Sequence, residues 1–149
     1  MKQLKAVIFD VDGTLAETEE LGHRSAFNHA FKKLGFKDYW SQELYCRLIK
    51  VAGGKERIQH YWQSIAHPQA DNKALIARIH QCKTQFYTDL VSSGEIGLRP
   101  GVEALIEFAQ PLRLAIATTT SRINIKTLLD VTLGKGSLNR FEVIACAEN

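Results

Sequence analysis

Long apolar runs are missing from this chain. The longest, at 114–117 and 143–147, hold four and five residues, whereas a membrane-spanning helix needs about 20. The start, MKQLKAVIFD, reaches an aspartate after four apolar residues, too few for the core of a secretion signal. Cysteine is scarce as well: Cys46, Cys82 and Cys146 are odd in number, far apart and in no CxxC pair. That excludes a disulfide framework and a zinc ribbon, and leaves small apolar fillers in a reducing compartment. The five histidines show no HExxH spacing; His60, His67 and His80 read as surface or helix-packing residues. Neither charge sign dominates, since 19 Lys+Arg against 16 Asp+Glu leaves +3, and no basic run exceeds the pair Lys32 and Lys33. A nucleic-acid footprint is therefore not expected. The expected address is cytoplasmic and the expected state a monomer.

What remains is the composition of an ordinary globular domain, with 45% hydrophobic and 23% charged residues, 10 glycines and 3 prolines in 149 residues. A chain of this size buries roughly 68–70% of its unfolded surface. It suffices for one domain, or for a small core carrying an inserted subdomain.

The pattern along the chain favours the second. Residues 5–9 (KAVIF) are short, apolar and rich in strand formers, and end in Asp-Val-Asp-Gly. From about residue 17 to 93 the period becomes helical. Phe27, Ala30, Phe31 and Leu34 share one face before Gly35; Leu44, Leu48 and Val51 mark a second helix ending at Gly53-Gly54. A third is expected over about 55–66, and Leu75, Ile79, Phe86 and Leu90 lie along a fourth that breaks at Ser92-Ser93-Gly94. Val102, Leu105, Ile106 and Ala109 give another helix, 112–117 a strand, Ser121 an N-cap for a helix through Asp130, and 142–147 a last strand. Strands alternating with helices imply an α/β fold with a parallel, helix-covered sheet. The core is expected at 1–16 and 95–149, of about three strands, with a helical cap at 17–94.

The strongest chemical signal is Asp10-Val11-Asp12-Gly13-Thr14. In extended chain, residues two apart point the same way, so both carboxylates face one site beyond the strand end, where parallel sheets bind ligands. Paired carboxylates there favour a divalent cation, with one available as nucleophile and the other as acid/base. A helix-capping aspartate turn is the plain alternative on spacing alone. An EF-hand loop from Asp10 fails, because its sixth and twelfth positions are Leu15 and Leu21. A phosphate-binding P-loop at Gly54-Lys55 fails because Glu56 follows.

Four segments together, FDVDGTLAETEELGHRSAFN at 9–28, GGKERI at 53–58, GEIGLRPGVEALI at 94–106 and LAIATTTS at 114–121, resemble haloacid-dehalogenase-superfamily phosphatases of the CbbY and β-phosphoglucomutase-like type. Members of that type include xylulose-1,5-bisphosphate phosphatases. The resemblance implies a parallel, Rossmann-like core with an inserted helical cap, and an Mg²⁺-dependent phosphohydrolase acting on small sugar phosphates through an aspartyl-phosphate. On it, Asp10 is the nucleophile, Asp12 the acid/base, and Thr118 the hydroxyl that binds the transferring phosphoryl, with a backbone N–H from Thr119. Mg²⁺ is expected on the Asp10 carboxylate and the Asp12 backbone carbonyl. Glu17 matches a sugar-contacting position, and Lys55 and Lys83 match cationic positions, Lys55 holding the substrate's second phosphate. His23 and Arg24 belong to a GHR stretch implied in substrate binding, Arg24 equally able to pair with a cap carboxylate.

The match departs at Glu148 and Asn149, where the resemblance implies a later lysine and an acidic pair that this sequence does not contain. The chain therefore reads as the N-terminal part of a phosphatase, requiring the remainder of its core. A phosphotransferase, and a catalytically incomplete fragment that only binds sugar phosphates, are the alternatives.

Overall fold

The computed structural model describes residues 4–147; Glu148 and Asn149, where the resemblance departs, lie outside them. Its elements are β1 (Ala6–Phe9), α1 (Ser25–Lys33), α2 (Gln42–Leu48), α3 (Gly54–Ser64), α4 (Lys73–Ser92), α5 (Val102–Phe108), β2 (Arg113–Ala117), α6 (Arg122–Thr132) and β3 (Val143–Ala145). A π-helical turn, Glu19–Arg24, precedes α1, and a 3₁₀ turn, Ser137–Arg140, precedes β3. No helix among the described residues is long and apolar enough to cross a membrane.

The chain divides into two compact units, one of Met1–Glu19 with Thr88–Asn149 and one of Glu20–Tyr87. Helix α4 runs through the boundary, so its last turn belongs to the first unit.

The first unit is the α/β part. Its sheet has the order β1-β2-β3 and is parallel throughout, with Ala6 opposite Arg113, Phe9 opposite Ile116 and Ile116 opposite Ile144. Alternation along the strands buries Phe9, Leu114, Ile116 and Ile144 on one face. There Phe9 meets Phe141 edge to face at 6.2 Å. The opposite face carries Ile8 and Val143, 68% and 58% exposed. Because the strands are parallel, their C-terminal ends share one edge, which brings the residues after Phe9 and Ala117 together.

The second unit is all helical. Its core joins Phe27, Ala30 and Phe31 of α1 to Trp40, to Tyr45 and Leu48 of α2, and to Ile58, Trp62, Ile76 and Ile79 of α3 and α4. Trp40 stacks among Phe27, Phe31 and Tyr61, with ring centroids 4.5, 5.2 and 5.5 Å away. Asn28 fixes the approach to this core by pairing with both the N–H and the C=O of Trp40, at 2.7 and 3.0 Å.

Two expectations need correction, while the N-cap expected at Ser121 is met. Gly53 and Gly54 do not end α2, which stops at Leu48; Gly53, at φ 85°, caps α3 and Gly54 is its first residue. Ser121 occupies the N-cap of α6, yet its Oγ accepts no bond from the helix. Cys46 is exposed rather than a filler, while Cys82 is half-buried and Cys146 buried. As for the histidines, His60 is exposed, His80 is half-buried, and His67 stacks on Trp62 with centroids 4.4 Å apart.

Candidate active site

Asp10 leaves β1 exposed at the C-terminal edge of the sheet. The chain then turns tightly. The carbonyl of buried Val11 accepts from the N–H groups of Thr14, Leu15 and Ala16 at 3.2, 2.9 and 3.3 Å, and the Gly13 N–H donates to Ala16 at 2.8 Å. Gly13 turns at φ 73°, a backbone state that costs glycine least.

Within this turn Asp12 is held by two hydroxyls. Thr18 donates to Oδ1 at 2.5 Å, and Thr120 donates to Oδ2. Both threonines are buried, at 0% and 6% exposure. The loop that brings Thr120 there is itself fixed. The Thr118 N–H donates to the Ala145 carbonyl at 3.0 Å, the Ala147 N–H to the Thr120 carbonyl at 3.2 Å, and the Thr120 N–H to Thr118 Oγ1 at 3.3 Å. Thr118 is half-buried and Thr119 exposed.

Arg99 braces the same turn from the other side. Its N–H donates to the Leu15 carbonyl at 2.8 Å, and its guanidinium donates to the Gly13 carbonyl. Its Nε lies 3.8 Å from Glu17, both side chains being about half exposed. The structure thus brings Asp10, Asp12, Thr118, Thr119 and Glu17 into one unit. It adds Thr18, Thr120 and Arg99, for which no role was read from the sequence. The parity of the hydroxyl run could have flagged Thr120, two residues from Thr118; nothing in the sequence marks Thr18.

Lys55, Lys83, His23 and Arg24 stand in the helical unit. Lys83 is buried and donates to His23 Nδ1 at 2.8 Å, with Nζ 5.2 and 5.1 Å from the ring centres of Phe27 and Tyr87. His23 stacks on Tyr87 at 4.2 Å. Lys55 is exposed in the first turn of α3. Arg24 pairs with Glu20 at 3.5 Å and reaches the Trp40 carbonyl at 3.4 Å.

No group of three or more His, Cys, Asp or Glu side chains gathers among the described residues. Exposed Asp10, with the backbone oxygens of its turn, is an oxygen-only donor set. Its chemistry fits a hard cation such as Mg²⁺, which retains several waters.

A parallel sheet with a paired-aspartate turn at its C-terminal edge, a hydroxyl loop from the next strand and a helical unit inserted between them defines a class of hydrolase. The chain belongs to the haloacid dehalogenase-like hydrolase family, whose model matches residues 7–149. It is similar to protein CbbY of Rhodobacter capsulatus, with 49% identity over 98% of this chain and 64% of that protein. It is also similar to the plasmid-borne CbbY of Cupriavidus necator, with 46% identity over 97% of this chain and 58% of that one. Among solved structures, a mutant CbbY from Rhodobacter sphaeroides in complex with xylulose-1,5-bisphosphate superposes with a TM-score of 0.84 at 42% identity, over 98% of this chain and 64% of that chain. The chain spans less than two thirds of the length of these curated relatives.

Proposed function

We propose that this chain carries the nucleophile and acid/base of an Mg²⁺-dependent phosphohydrolase for small sugar phosphates, xylulose 1,5-bisphosphate being the first candidate. The observation that carries the reading is the division of labour between two carboxylates on one turn. Asp12 is gripped by Thr18 and Thr120, whereas Asp10 stands exposed at the sheet edge. A fixed carboxylate suits proton transfer, which demands placement, and an exposed one suits attack on phosphorus. Support for the substrate class comes from similarity to a CbbY solved with xylulose-1,5-bisphosphate.

In the proposed reaction an Asp10 oxygen forms a bond to phosphorus as the ester P–O bond breaks. Asp12 delivers its proton to the leaving sugar oxygen. A water then attacks the phospho-aspartate, its proton returning to Asp12, and inorganic phosphate leaves. Thr118 Oγ1 and the Thr119 N–H hold the transferring oxygens, because phosphoryl transfer is dominated by positioning and by spreading negative charge. Mg²⁺, when bound at Asp10 and the Asp12 carbonyl, neutralises part of that charge. Glu17 contacts sugar hydroxyls, and Lys55, Lys83, His23 and Arg24 bind the rest of the substrate, Lys55 taking its second phosphate. The proposed compartment is the cytoplasm.

The test is Mg²⁺-dependent phosphate release from xylulose 1,5-bisphosphate and a panel of sugar monophosphates. The expected result is release that disappears in Asp10→Asn. Binding without turnover by a folded chain would replace the reading with a sugar-phosphate-binding role. Phosphoryl retention on a bisphosphate product would replace it with phosphotransfer.

A further inference from the structure

On α4, His80 and Lys83 stand three residues apart, a spacing that places both on one face. Facing them, α3 opens with Gly54 and Lys55. The His80 imidazole lies so close to this start that a Cβ on Gly54 would sit 2.5 Å from both its Cδ2 and its Nε2. A side chain at position 54 would therefore push the ring out of this place. One edge of the imidazole is held against the backbone next to Lys55, and one turn further along α4 Lys83 meets His23. Glu56 is the carboxylate that acts on His80, and it curls over Gly53 at the cap of α3.

The electrostatics of the group are lopsided. His80 is held down to about 4, first by burial, then by the positive charges of Lys83 and Lys55, with His23 adding to them and Glu56 opposing. Its imidazole is neutral at physiological pH. A third positive charge beside two lysines is disfavoured for as long as nothing anionic joins them.

We propose that His80 is the third member of this basic group and takes up a proton from solvent when a phosphate monoester dianion settles between Lys55 and Lys83. The inference rests on the reading of those lysines as phosphate-binding and deepens it. A dianion offsets the field that the lysines impose on the ring, so the penalty on imidazolium falls and the His80 midpoint rises. The proton then adds a charge-assisted donor to the complex. A neutral sugar hydroxyl does not offset that field. The device therefore separates substrates that carry a second phosphate from those that carry only hydroxyls at that end. Its sign is fixed: anion affinity is greatest at low pH and falls as pH rises through the midpoint of the complex, about tenfold for each pH unit by which binding raises His80.

Sulfate is the probe, because it stays a dianion across the range. In the full chain, labelled at histidine and lysine, sulfate is expected to shift the Lys55 signals. It is also expected to raise the His80 midpoint from about 4 by one pH unit or more. His80→Asn should abolish the pH dependence of sulfate affinity while retaining binding near neutral pH. Gly54→Ala, which displaces the ring without touching its chemistry, should do the same. A His80 midpoint that stays near 4 while Lys55 responds overturns the proposal, and so does a Lys55 that never responds. Phosphate release is read on the same sample with and without Asp10→Asn. Hydrolysis with a silent His80 sinks only this inference, and proton uptake without hydrolysis sinks only the phosphatase reading.

Discussion

Thr120 donates its hydroxyl to the carboxylate of Asp12 across 108 residues of sequence, closing a contact between the loop after β2 and the turn after β1. Thr18 meets the other oxygen of the same carboxylate from within the turn. Asp12 is thus gripped from two independent directions, and neither grip is replaceable by packing alone.

Removing one grip tests this arrangement. Thr120→Val keeps shape and removes the donor, so the expected cost is about 1–3 kcal/mol of stability, the range for taking one partner away from a buried polar group. A fall in kcat with KM little changed should accompany it. Urea unfolding and steady-state kinetics on the same preparation check both. Thr18→Val should behave alike, and an unchanged kcat in both variants would remove Asp12 from the chemistry.

For the proposed nucleophile, Asp10→Asn is nearly isosteric and Asp10 is exposed. Unfolding free energy should stay within about 0.5 kcal/mol of the parent. Phosphate release should drop by at least about 10³-fold, since loss of a covalent participant is not made good by its neighbours.

The cap cation makes a different prediction. Lys55→Ala should raise KM for sugar bisphosphates about tenfold or more, equivalent to about 1.4 kcal/mol. Monophosphates should be little affected, and equal losses for both would show that Lys55 does not meet the remote phosphate.

Stability should also depend on acid in a defined direction. His80 has an ordinary value of 6.5 and is held at about 4 in the fold. The unfolded chain therefore binds more protons between those limits, and unfolding free energy must fall as pH drops from 6.5 towards 4. The contribution is complete above 6.5. Denaturant titrations at several pH values should show a flatter profile for His80→Asn across that window.

Truncating the helical core should cost more than any of these changes. Trp62 is fully buried, stacks on His67 and packs at a tilt against Phe36. Trp62→Ala is expected to lose about 3–5 kcal/mol. Calorimetry would read the loss as a lowered melting temperature.

Much of this was legible in advance, for physical reasons that can be named. β1 was readable because four apolar strand formers stop dead at an aspartate. α1 was readable because Phe27, Ala30 and Phe31 keep one face up to Gly35, which adopts φ 81°. The parallel sheet followed from strands separated by helices. Gly53-Gly54 was misplaced because a glycine that ends one helix and one that opens the next look identical in sequence; only φ separates them. Thr18, Thr120 and Arg99 were missed for another reason. Their importance lies in what they touch, and contacts between Thr120 and Asp12 or Arg99 and Gly13 leave no local periodicity. The closeness of His80 to Gly54 is equally invisible until two helices are packed together.

The first unit is assembled from two stretches, Met1–Glu19 and Thr88–Asn149, with the whole of the helical unit between them. On a ribosome this becomes a matter of timing. Residues 20–87 are all made before β2 exists, so the aromatic cluster around Trp40 and Trp62 can condense while β1 and the aspartate turn still wait for their neighbour. Only when residues 113–120 arrive does Asp12 acquire its second hydroxyl. A helical unit that has already gathered its ends leaves a far shorter effective loop to close than the 108 residues counted along the chain. A slow or misfolded second unit would accordingly appear first as an unfinished aspartate turn.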